Sequence, residues 1–144
     1  MGEKSKYKIK PSSFLNEKKN IQPTTPSDEE VSFSFQYIRE KDNKFKYSEY
    51  SEKENNYFIK IVERFKEVCK MSKRCLVTSN SKSLRNHKID WDKTTENGFG
   101  LTEQYDESAF QISISANKHG RVHGFYINNI FYIVWFDPKH ELYS

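Results

Sequence analysis

Residues 110–143, FQISISANKHGRVHGFYINNIFYIVWFDPKHELY, constrain the fold more than any other part of the chain. Phe110, Ile112 and Ile114 alternate with Gln111, Ser113 and Ser115, the period-two pattern of a strand with one buried face. Two further runs, 121–127 and 130–136, are separated only by Asn128-Asn129, and asparagine tolerates the positive φ that a type I′ hairpin turn needs at both central positions. The runs are expected to pair antiparallel, with Ile127 opposite Ile130, Phe125 opposite Tyr132, His123 opposite Val134 and Arg121 opposite Phe136. The other face then carries Val122, Gly124, Tyr126, Phe131, Ile133 and Trp135. Both faces are largely apolar, which places the hairpin inside a sheet, with a helix over one side and a partly sealed cover over the other. Arg121 and His123 share one face of one strand. Asp137-Pro138 ends the third strand, because proline donates nothing to a ladder.

The rest of the chain reads as support for this sheet. Residues 1–30 are polar and lysine-rich, with Pro11, Pro23 and Pro26, and read as a flexible arm before one α+β domain over residues 31–144. Val31, Phe33, Phe35 and Tyr37 alternate with Ser32, Ser34 and Gln36, which predicts a half-buried strand. Residues 39–56 are charged and weakly patterned, a loop holding at most a short helix or an edge strand. A helix follows: Phe58, Ile61, Val62, Phe65, Val68 and Cys69 recur at three and four residues, an apolar stripe to lie across the sheet. Its start is signalled either by Ser51 with Glu54 as a capping box or by Asn55 or Asn56. Leu76 and Val77 are further anchors, residues 83–89 form a basic loop ending at Trp91, and residues 92–108, with Gly98 and Gly100, read as an exposed insertion.

The expected fold is a small antiparallel sheet, mixed at its edge, of about four strands with one or two helices on one face. Aromatic residues make up 15% of the chain, enough large rings to fill a modest core. No run approaches the roughly 20 apolar residues of a membrane span, and the lysine-rich N-terminus lacks the apolar centre of a signal peptide, so a cytoplasmic chain without membrane contact is expected. The net charge of +4 permits a polyanionic partner without requiring one. Cys69 and Cys75 match no zinc or redox spacing, and His119 and His123 flank a strand start instead of sharing a helix turn, so neither a metal nor another cofactor is expected.

The order strand, helix, basic loop, terminal antiparallel strands resembles the RelE/ParE toxin superfamily, whose RelE-like and YoeB-like members cleave messenger RNA free or on the ribosome. Leu84-Arg85-Asn86-His87-Lys88-Ile89 stands where the family shows Leu-Arg-Gly-His-x-Leu, and Arg121, the Asn128-Asn129 turn, the strand to Phe136, His140 and Tyr143 follow in the family's order. The resemblance covers residues 31–143 and leans on the last sixty. It implies metal-independent endoribonuclease activity by attack of the 2′-hydroxyl, with a small antitoxin protein as partner. Arg121 would grip the phosphate, His140 or His123 would act as acid and base, and Tyr143 would stack on a base. Lys82, Arg85 and Lys88 would hold the RNA backbone. The chain departs from the family at Gln111, Ser113 and Ser115, where a strand arginine is usual, at Glu141, where arginine often follows the turn histidine, and at Lys82, where YoeB-like members carry a basic glutamate.

Plainer readings stand beside these. Arg121 pairs with Asp137 or Glu141 at the sheet rim; His123 is a satisfied core histidine; His140 packs on Pro138; His87 fixes its loop; Trp91 and Trp135 are core; Arg85 and Lys88 are solvated surface. At the level of function, the alternatives are a catalytically silent RelE-like module that binds nucleic acid or protein in a host-defence or mobile-element system, and a gyrase-directed toxin of the ParE kind.

Overall fold

The structure, a computed structural model, describes residues 29–41, 43–48, 56–78, 84–115 and 119–143. In chain order the elements are β1 (Ser32–Ser34), α1 (Tyr57–Val68), α2 (Lys73–Thr78), β2 (His87–Lys88), a 3-10 turn (Trp91–Lys93), α3 (Glu103–Glu107), β3 (Ala109–Ser113), β4 (Arg121–Ile127) and β5 (Ile130–Asp137). The five strands form one mixed sheet in the order β1-β5-β4-β3-β2, one strand more than expected. Only β1 runs parallel to its neighbour, β5. The hairpin of β4 and β5 thus sits inside the sheet, as the apolar character of both its faces predicts. The N-terminal arm, the Ser51–Glu54 capping box, Asn55 and Lys82 lie outside the described residues.

The hairpin register follows the prediction from Ile127↔Ile130 to Phe125↔Tyr132 and then departs from it. A bulge between His123 and Gly124 leaves Val134 as an extra residue on β5, so the following pairs are His123↔Trp135, Val122↔Phe136 and Arg121↔Asp137. The Val134 carbonyl bonds instead to the Arg39 amide, at 3.0 Å. From that point every β5 side chain changes face: Trp135 joins the side away from α1, and Phe136 joins the α1 side. The turn also differs, since Asn128 alone takes positive φ (54°) while Asn129 does not, the φ pattern of a type II′ turn instead of type I′.

One face of the sheet is covered by α1 and α2, whose Tyr57, Ile61, Val68 and Leu76 pack on Ile112, Val122, Phe131 and Ile133. The predicted stripe of α1 is rotated. Val62 is 64% exposed and Phe58 39%, whereas Arg64 is only 6% exposed. Arg64 is drawn inward because its Nε donates to the Ile114 carbonyl just past β3 at 3.0 Å, while Glu67 pairs with its outer nitrogen at 3.1 Å. Asn56 holds the N-cap position, without a side-chain cap bond. The predicted strand at 31–37 shortens to three residues, with Phe33 stacked on Phe65 at 4.1 Å and the chain turning at Gln36 and Tyr37.

The opposite face is not left half open. Phe45, Phe99, Phe125 and Trp135 are wholly or almost wholly buried there, with Phe45 stacked on Trp135 at 4.4 Å and Tyr105 on Phe125 at 4.2 Å. Residues 92–108 therefore supply part of a second core and are not an exposed insertion: the Trp91 indole donates to the Asp106 carbonyl at 2.9 Å, and Phe99 fills the space between. Trp91 and Trp135 are core residues, as their plainer reading had it. Among the described residues no helix is long and apolar enough to cross a membrane.

Candidate functional site

The second core stops short at one end of the sheet, where polar side chains line a cleft of about 150 Å³: His87, Gln111, Arg121, Asp137, His140 and Tyr143. The sheet register explains this gathering. His87 pairs with Gln111 and Gln111 with His123, while Ser113 pairs with Arg121 and Arg121 with Asp137. Partners in a ladder project to the same face, so two polar rows cross the sheet beyond the last aromatic row.

Asp137 organises the cleft. Its Oδ1 accepts from the Glu141 amide at 2.7 Å, and its Oδ2 accepts from the Leu142 amide at 3.0 Å and from His123 Nε2 at 2.9 Å. These bonds close the C-terminal turn that carries His140 and Tyr143. Burial acts to raise the Asp137 pKa, but the bonds from His123, Glu141 and Leu142 outweigh it and hold the carboxyl below its ordinary range. Burial pushes His123 down against the pull of Asp137. The pair is thus an aspartate and a neutral imidazole with its proton on Nε2, a tautomer assigned from the acceptor it faces.

Arg121 is 9% exposed, and its one hydrogen bond goes to the Gly120 carbonyl at 3.1 Å. Asp137 lies opposite it in the ladder, yet both carboxylate oxygens are already committed to the turn, and among the described residues no carboxylate forms an ion pair with Arg121. The expected rim pair with Asp137 or Glu141 is not formed. Burial and the nearby Arg85 lower the Arg121 pKa, with Asp137 opposing them. A guanidinium held this way keeps most of its fork of donors for an incoming anion.

His140 closes the turn at φ +57°, a left-handed conformation that histidine adopts more readily than most side chains. Burial first, and then the charges of Arg121 and Arg85, lower its pKa, so the ring is neutral and basic at neutral pH. The Tyr143 hydroxyl accepts from the Asp90 amide at 3.1 Å, and its ring meets that of His87 edge-on at 5.9 Å. His87 donates through Nδ1 to the Lys88 carbonyl at 2.9 Å, which fixes its loop as expected.

Arg121, His140 and Tyr143 are thus brought together. His123 does not line the cleft: it is fully buried and bonded to Asp137. Lys88 pairs with Phe110, so alternation turns it to the sheet face away from His87 and the cleft, where it is exposed. Arg85 is exposed and near enough for its charge to act on both Arg121 and His140. His87, Gln111 and Asp137 are cleft residues that sequence reasoning did not select. Gln111 and Ser113 are buried instead of facing water, and pairing β3 with β4 on paper would have set them opposite His123 and Arg121. The Oε1 of Gln111 and Oγ of Ser113 are buried without a partner among the described residues. No group of three or more His, Cys, Asp or Glu residues there is placed to hold a metal ion.

Comparisons with protein-family models, with curated proteins and with solved structures find no match to this chain.

Proposed function

We propose that the protein is a metal-independent endoribonuclease of the RelE-like kind. The observation that carries this reading is Arg121, buried and without an ion pair among the described residues, at the floor of a cleft edged by two imidazoles and a tyrosine. At about 150 Å³ the cleft is below the size of ordinary small-molecule pockets, which start near 300 Å³, and suits one phosphate of a polymer lying across it. Neutral His140 takes the proton of the 2′-hydroxyl, the 2′-oxygen attacks phosphorus, and Arg121 balances the charge that grows on the phosphorane. The 5′-oxygen leaves with a proton from solvent, and the other product ends in a 2′,3′-cyclic phosphate. Tyr143 presents a ring for stacking, and Arg85 holds the RNA backbone. The exposed apolar side chains Phe35, Ile59 and Val62 leave a face for a protein partner of the small antitoxin kind.

One observation favours a second reading, a silent module that binds RNA without cutting it: the strand beside Arg121 offers only the uncharged Gln111 and Ser113. Induced expression in bacteria, with purified protein tested on RNA in the presence and absence of ribosomes, separates the two. The native chain is expected to slow growth and yield cyclic-phosphate ends, with Arg121→Ala and His140→Ala each lowering cleavage by about a hundredfold or more. Absence of both growth arrest and cleavage overturns the enzyme. Cleavage that survives both substitutions overturns the site.

A further inference from the structure

A second and larger cleft, about 650 Å³, lies between residues 39–41 and residues 95–100, with Asp106 among its lining residues. Most of its charged groups are satisfied within the chain. Glu96 accepts from Lys41 and, at 3.5 Å, from Lys44; Glu40 accepts from the Ser48 amide at 2.9 Å and hydroxyl at 2.7 Å. Two groups are not. The Arg39 side chain makes no hydrogen bond or ion pair among the described residues, although its amide is anchored on the Val134 bulge. Among the described residues Asp106 receives only the Phe99 amide, at Oδ1 and 2.8 Å, so its Oδ2 has no donor there.

A Cβ on Gly98 would collide with the Asp106 carboxylate, and one on Gly100, at φ +73°, would come within 3.1 Å of the Arg39 guanidinium, so glycine at both points lets the two charged groups lie against the main chain. The cleft therefore offers a planar fork of donors and a carboxylate, each seated over a glycine of residues 95–100. Among nucleobases guanine alone presents two donor groups, N1–H and the 2-amino group, for a carboxylate, together with O6 and N7 as paired acceptors for a guanidinium. The cleft also adjoins the one that holds Arg121. Thr95, in its wall, donates its amide to the Leu142 carbonyl at 2.8 Å and its hydroxyl to the Glu141 carbonyl at 3.0 Å, so the turn bearing His140 and Tyr143 stands between the two.

Resting on the RNA reading above, we infer that the Arg39–Asp106 cleft is a base subsite that selects guanine in a strand crossing the C-terminal turn. The full chain, isotope-labelled, is titrated with guanosine, adenosine, cytidine and uridine, and the amide resonances of residues 96–101 are followed by NMR. Nucleosides carry no phosphate, so the Arg121 cleft does not contribute. Guanosine is expected to shift those amides about tenfold more tightly than the other three. Arg39→Ala and Arg39→Lys, which removes only the fork, abolish that preference, as does Asp106→Asn, which keeps an acceptor for the Phe99 amide; Arg121→Ala leaves it intact. Equal or absent response to all four nucleosides overturns the inference, as does a preference that survives Arg39→Lys and Asp106→Asn in variants whose spectra show them folded. A response to glycylglycine without one to guanosine assigns the cleft to peptide ends and overturns it equally. Guanosine binding without RNA cleavage would remove the nuclease and keep the subsite; cleavage indifferent to guanine would do the reverse.

Discussion

At the scale of single residues, His123 and Asp137 decide whether the C-terminal turn exists. A neutral imidazole with no exposure donates its Nε2–H as a hydrogen bond to a carboxylate that in turn holds two amides of the turn. The pH dependence of stability follows from this. The folded-state pKa of His123 is lowered from 6.5, so between 6.5 and that lower value the unfolded chain binds more protons than the folded one. Stability is then fully present above about pH 6.5 and falls as the pH drops through the window below it, while Asp137, itself lowered from 3.8, stays ionised. Half-exposed His140 adds a smaller contribution of the same sign. Replacing His123 by glutamine should cost about 1–3 kcal/mol near pH 7, since a buried carboxylate loses its best-placed donor, and should flatten the acid-side slope. Urea midpoints at about pH 7 and about pH 5 for both chains test this, and equal slopes would show that His123 is not the titrating group.

At the scale of elements, the β5 bulge does most to separate what was legible in the sequence from what was not. The strands and turn positions were visible because alternation and Asn128-Asn129 are local signals. A bulge is not local: Val134 is extra only because the Arg39 amide, far away in the chain, takes its carbonyl. Without it Phe136 would face Arg121 and Asp137 would point toward α1, away from His123. The same limit hid the rotation of α1, since nothing near Arg64 announces the Ile114 carbonyl that receives it. Arg121, His140 and Tyr143 were readable as members of the candidate site, whereas Asp137 was read only as a rim partner of Arg121. Deleting Val134 should close the ladder on the same pairs, His123↔Trp135 and Arg121↔Asp137, so Trp135 and Asp137 keep their faces while the Arg39 anchor and a buried side chain are lost, at a cost of about 2–4 kcal/mol. Val134→Ala keeps the bulge and forfeits only buried methyl groups, about 1–2 kcal/mol. A deletion variant that shows no urea transition, while Val134→Ala does, would mean that the pairs beyond the bulge depend on the bulge itself.

At the scale of the whole molecule, one sheet carries two cores, with no helix longer than α1 among the described residues to bind them. The α1 side was foreseeable from a stripe at helical spacing, whereas the other side is assembled from Phe45, Phe99, Tyr105 and Leu142, single rings and one leucine in segments without periodicity. Their sequence signal is composition alone, and composition does not say where a ring lands. The two cores nonetheless share β3, β4 and β5, whose side chains alternate between them: Val122 and Tyr126 go to one, Phe125 to the other. Losing either core strips those strands of half their packing, so the two are expected to melt together. Both tryptophans lie in the second core, and α1, the longest helix, lies over the first. Tryptophan fluorescence and helical circular dichroism therefore report opposite faces of the same sheet. Their urea transitions should coincide, and Phe99→Ala, which hollows the second core at a cost of about 3–5 kcal/mol, should shift both by the same amount. A fluorescence midpoint that moves while the helical signal stays put would show that the aromatic layer folds as a separate unit on a sheet already held by α1.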